Sequence, residues 1–174
     1  VTNDLIQTYI EKTGIIDSTV EDIAKWYRDD RLMPPLEEIG YFRKVNFLVQ
    51  YFEYEEYVDN SQFLRIDPEI FPFLKEDCED ILQQFMNETG IIYYEDVDQM
   101  YEKFDEIGST FVPSSNLVEL SDTLLPTLGG FFFGNTEYNI YYFYQVWQVY
   151  RWIDDLEEEG EFDPDYYYYM MCWW

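Results

Sequence analysis

The chain has 174 residues, with 37 Asp and Glu against 10 Lys and Arg and a formal charge of −27. Direct nucleic-acid binding is disfavoured, because phosphate contacts need clustered Lys and Arg and only Arg43 and Lys44 are adjacent basic residues. The content of 47% hydrophobic and 21% aromatic residues is too high for a disordered acidic tail, so a single compact domain over 1–174 is expected.

An internal repeat organises the chain. Residues 4–16, DLIQTYIEKTGII, align with residues 80–92, DILQQFMNETGII, with six of thirteen positions identical. Leu5, Ile6, Tyr9 and Ile10 fall on one helical stripe, and Gly14 stands where a left-handed helix cap belongs. Ser18 and Glu21 have the spacing of a capping box. Val20, Ile23 and Tyr27 supply the buried face of a second helix. The repeat predicts two related helix–turn–helix halves, 3–30 and 76–107. Their second helices carry Glu21, Asp22, Asp29 and Asp30, which form one acidic row with Asp17, or Asp98, Glu102, Asp105 and Glu106. Such acidic helices are repelled by DNA and do not read it.

After the first half, Pro34-Pro35-Leu36-Glu37-Glu38 suits a helix start. Residues 41–57 fit a helix or a strand, and Asp67-Pro68 with Phe71-Pro72 reads as a turn-rich connector. In the second half Gly108 ends a helix, and 109–116 reads as a loop. Residues 129–134 read as a short strand or tight turn. Asn135 or Thr136 is expected to cap a long central helix that runs to Glu159 and stops at Gly160; a strand stays open for 141–152. Residues 154–165 then hold eight acids and no base, among them Asp154, Asp155, Glu157, Glu158 and Glu159. The closing YYYYMMCWW is too apolar to stand exposed. It is expected to pack back as a final strand or arm, or to form an interface through Tyr166, Tyr168, Trp173 and Trp174. The fold class that follows is mainly α, with α+β left open, comprising two related halves, an aromatic-rich central helix or strand and a C-terminal arm.

The chain contains no histidine, which removes His-based triads, His proton transfer and His metal sites. Cys78 and Cys172 form no metal or disulfide framework and fit a reducing compartment. No phosphate-binding glycine loop is present. Carboxylate pairs such as Asp96/Asp98 and Asp154/Asp155 read as solvated helix faces, and no EF-hand spacing fits. The expectation is a protein that is not an enzyme and holds no cofactor and no metal. The first residues are polar and predict no signal peptide, and the weakly charged stretch 123–152 is a poor membrane span. A cytoplasmic location follows, in the host cell if the chain is phage-encoded.

The charge itself is the functional lead. It can serve a basic partner surface, high salt, or the solubility of an aromatic-rich chain. Carboxylates three or four residues apart on a helix lie about 5–6 Å from each other, of the order of phosphate spacing along a nucleic-acid strand. The chain resembles in kind, through charge and not through motif, the acidic DNA-mimic proteins of phages and mobile elements that block restriction or CRISPR systems. That likeness implies an inhibitor of a nuclease or other defence protein, partnered through a basic nucleic-acid site. An immunity protein for a nuclease toxin is the near alternative. A virion-type assembly protein, homo-oligomeric through its aromatic C-terminus, is the more distant one, as is a carboxylate-based enzyme.

Overall fold

The computed structural model describes residues 38–52, 63–92, 96–129, 135–160 and 168–171. The first repeat copy, 3–30, lies outside them, so the relation between the two halves has no structural counterpart here.

Among the described residues the fold is mainly α: five α-helices, one short 3-10 turn and a two-stranded ribbon. Residues 38–45 are not helical; the first described helix, α1 (Asn46–Phe52), starts later than the Pro34-Pro35 signal suggests. It buries Phe47 and Leu48, and Asn46 Nδ2 donates to the carbonyl of Asn135 at 3.1 Å. Strand β1 (Phe63–Ile66) pairs antiparallel with β2 (Tyr168–Met171), Leu64 opposite Met170 and Ile66 opposite Tyr168. Alternation places Leu64 and Ile66 inward and Arg65 outward. The sequence suggests no element at 63–66; the strand there is defined by its pairing with β2.

Helix α2 (Ile70–Thr89) begins earlier than residue 76, because its first turn is prepared by Asp67. The Asp67 carboxylate accepts from the Glu69 amide at 3.0 Å, and its carbonyl accepts from the Ile70 amide at 3.0 Å. Pro72 sits in that first turn, where a missing N–H does no harm. Phe71, Leu74, Cys78, Ile81, Leu82 and Phe85 form the buried stripe. Gly90 ends the helix at φ 72, the left-handed cap that the repeat requires of it.

Helix α3 (Val97–Ile107) is capped by Asp96, whose side chain accepts from the Gln99 amide at 2.8 Å. It buries Met100 and Phe104 and ends at Gly108. Residues 109–116, read as a loop, contain the end of a 3-10 turn and the start of α4 (Ser115–Leu124). Ser114 caps α4 by accepting from the Leu117 amide at 3.2 Å. Its own amide donates to Glu88 at 3.0 Å and its hydroxyl to the same carboxylate, which ties α4 to α2.

The central element is α5 (Ile140–Glu159), a helix throughout and not a strand. Its cap is Asn139, not Asn135 or Thr136: the Asn139 side chain accepts from the Tyr141 and Tyr142 amides at 3.0 and 3.3 Å. Asn135 instead closes a local turn on the Glu137 amide. Eight α5 residues are buried, from Ile140 to Leu156. Helix α2 runs antiparallel along it, with Lys75 beside Asp154 and Phe85 stacked on Phe143. Phe85 is the hub of the core. It is fully buried, stacks on Phe104 of α3 (5.3 Å, 6°) and Phe143 of α5 (4.9 Å, 16°), and meets Phe111 edge-on at 5.3 Å.

At the far end of α5, Trp152 stands between Phe42 (5.1 Å) and Phe71 (5.8 Å), and its indole N–H donates to the Ile39 carbonyl at 2.5 Å. Gly40 lets the chain pass over this ring; a Cβ there would lie 2.8 Å from the indole. No helix among the described residues is long and apolar enough to cross a membrane.

Candidate functional site

Every described Asp and Glu is exposed or half-buried, and none lies in the core. The helices hold these groups in fixed rows. On α3 the apolar positions Met100 and Phe104 turn inward, which forces Asp98, Glu102, Asp105 and Glu106 onto the opposite face, and all four are exposed. Glu106 pairs with Lys103 at 2.7 Å; Asp98, Glu102 and Asp105 form no ion pair among the described residues.

The second row is the end of α5. Asp155, Glu157, Glu158 and Glu159 are exposed and Asp154 is half-buried. Lys75 of α2 joins Asp154 at 2.7 Å and Glu157 at 2.5 Å, and lies 5.8 Å from the centre of the Tyr150 ring. Burial pulls the Lys75 ammonium towards neutrality, but its hydrogen bonds to Asp154 and Glu157 outweigh this and leave its pKa raised. Arg151 reaches Asp155 at 3.7 Å. Glu158 and Glu159 carry no ion pair among the described residues.

The placement of these acids runs against helix electrostatics. A helix C-terminus carries partial negative charge and favours cations. Yet α3 ends with Asp105 and Glu106, α5 ends with Glu157, Glu158 and Glu159, and neither has a basic residue in its last turn.

A third group lies on α2. Tyr51 donates to the Asp77 carboxylate at 2.9 Å. Burial raises the Asp77 pKa, the Tyr51 hydrogen bond opposes this, and Asp80 and Glu76 add to the rise. The same burial, with Asp77, pushes the Tyr51 hydroxyl up. Cys78 beside them is fully buried and its thiol pKa is pushed well up by that burial, so it packs as a small apolar group. Among the described residues no three acids or cysteines converge on a metal site.

Asp17, Glu21, Asp22, Asp29 and Asp30 lie outside the described residues, as do Tyr166, Trp173 and Trp174. Tyr168, offered with them as an interface residue, is 7% exposed and packs edge-on to Phe71 at 5.5 Å. It sits in the core because β2 pairs with β1 and turns it inward.

An aromatic cleft between α3 and α5 is not legible in the chain pattern. Tyr101 and Phe104 of α3 face Tyr144 of α5 at 5.6 and 5.2 Å, both edge-on. Asp105, Gly108, Ile140 and Tyr141 complete its lining. The one local signal is Tyr101, an aromatic set between acids on a helix whose buried face is already supplied by Met100 and Phe104. Searches against family models, curated proteins and solved structures return no match to this chain.

Proposed function

We propose that this protein is an acidic nucleic-acid mimic, which occupies the basic DNA- or RNA-binding site of a nuclease or another nucleic-acid-handling protein and blocks it. It acts by binding and not by catalysis. The observation that carries this reading is the concentration of carboxylates in the last turns of α3 and α5, which contain no basic residue; Lys103 and Lys75 reach only Glu106 and Glu157 and leave Asp105, Glu158 and Glu159 without an ion pair among the described residues. Acids needed only for solubility have many sites on a helical surface where the dipole does not oppose them. Acids kept where they weaken the fold point to a use outside it.

The arrangement suits such a use. Asp98, Glu102, Asp105 and Glu106 follow one another at i, i+4, i+7 and i+8 on a helix anchored by Phe104 in the core. A basic groove meeting this row gains charge-assisted hydrogen bonds, while a carboxylate offers no phosphodiester to cut. Long-range attraction speeds encounter and makes it salt-dependent.

The test is capture from lysate at low salt with the partner identified by mass spectrometry. The expected result is a nucleic-acid-binding protein that DNA displaces, and that the variant D98N/E102Q/D105N/E106Q no longer captures while keeping its melting temperature. Undiminished capture by that variant would remove the α3 face from the mechanism. Salt-resistant self-association with no basic partner would overturn the reading as a whole.

A further inference from the structure

We infer that the mouth of the cleft between α3 and α5 binds one arginine guanidinium of the basic partner, and so anchors the acidic surface at one place. The inference rests on the mimic reading and names the chemistry of its contact. The cleft is shallow and open, with only about 30 Å³ inside it, so a guanidinium lies across its mouth against the rings and does not enter deeply. Tyr101 and Tyr141 flank it and stay 54% and 69% exposed, although large aromatic side chains are usually covered. Tyr144 lies between them as the inner wall, fixed edge-on to Tyr101 and Phe104 and stacked on Trp147 at 5.7 Å. Asp105 brings a carboxylate to the rim. Gly108 lines one end at φ 58, and a Cβ there would meet nothing within 4 Å, so the cleft opens outward at that point.

Aromatic faces joined to a carboxylate select a cation that is flat. A guanidinium stacks on a tyrosine ring and donates in its own plane to a carboxylate, which an ammonium cannot do. The electrostatic surroundings fit a cation and not a neutral apolar ligand. Asp98, Glu102 and Glu106 share the helix with Asp105, and the Tyr144 hydroxyl is pushed up by burial, by Tyr101 and by Asp98. Rows of carboxylates attract any basic surface without fixing its register; one guanidinium laid on these rings does fix it. Buried aromatic–arginine contacts are the usual anchors of protein interfaces.

The experiment uses the full chain and three probes: hexa-arginine, hexa-lysine and hexa-citrulline peptides, titrated by NMR at low salt. Hexa-arginine should bind about tenfold tighter than hexa-lysine and shift the amides of Tyr101, Gly108 and Tyr141, and hexa-citrulline should not bind. The variant Y101A/Y141A removes two rings that are more than half exposed, with loss of the edge contact to Tyr144. It should lose the arginine preference and keep its hexa-lysine affinity within about twofold. Equal affinity for the two cationic peptides, or a preference that survives in Y101A/Y141A, overturns the cleft and leaves the acidic-row reading standing. Failure of both cationic peptides to bind overturns the two together.

Discussion

Glu158 and Glu159 stand in the last turn of α5 beside a helix terminus that already carries negative charge, and close to Asp155 and Glu157. Replacing both by glutamine keeps their size and their helix propensity and removes two charges. Relief from the helix end contributes about 0.3–1 kcal/mol for each exposed group. Relief from Asp155, three and four residues back, adds about 0.2–0.5 kcal/mol for each pair. Taking the lower part of each range for solvent-exposed groups gives a gain of about 1–1.5 kcal/mol. For a chain of this length that raises Tm by roughly 2–6 °C. The assay is thermal unfolding followed by circular dichroism at low salt and again near 1 M salt. There the screening length falls to about 3 Å and the gain should largely vanish. The same variant should bind its basic partner more weakly, so stability and capture move in opposite directions. A lower Tm at low salt, or a gain indifferent to salt, would refute the argument that these acids oppose the fold.

Three further outcomes follow from the packing. Phe85→Ala removes the ring on which α2, α3 and α5 meet and should destabilise by about 3–5 kcal/mol in urea titration; a loss under about 1 kcal/mol would show that the hub is elsewhere. Lys75→Met leaves Asp154 and Glu157 facing each other without a cation. Because both are more than a third exposed, the loss should be only about 1 kcal/mol and should shrink in high salt; salt-independence would refute the pairing. Burial, then Asp80 and Glu76, lift the Asp77 pKa above its unfolded value, so protonation favours the folded state and stability falls as pH rises through the folded pKa. Asp77→Asn keeps an acceptor for Tyr51, and should raise Tm at pH 7 by an amount that disappears near pH 3; a gap that persists there would refute the assignment.

The parts of this fold that could be read in the chain are those decided locally. Gly90, Gly108 and Gly160 each follow a run of helical periodicity, and each ends a helix with φ near 60–70°. The Met100–Phe104 spacing fixes which way α3 faces before any partner is known. Elements decided by distant contacts were hidden. The run 63–66 has no strand signal of its own, because what makes it a strand is Tyr168–Met171. Asn135, Thr136 and Asn139 are all fair caps by composition, and only the packing of Ile140 and Tyr142 selects Asn139. Helix α4 was masked by its own start, Pro113-Ser114-Ser115-Asn116, which reads as a turn although Ser114, Leu117 and Ser121 already hold helical spacing. Likewise, the acidic rows were visible as a pattern, whereas the cleft exists only where α3 crosses α5.

The β1–β2 ribbon sets an order on folding. Strand β1 leaves the ribosome long before the strand that covers it, so Leu64 and Ile66, with Phe71 just after them, must wait with apolar surface in water until 168–171 arrive. Pairing across so much chain is slow, and an uncovered strand edge invites a second nascent chain to add to it. The acids of α2 and α3 are synthesised during that wait. Neighbouring growing chains on one messenger carry those like charges while their edges are bare, and like charge opposes such pairing.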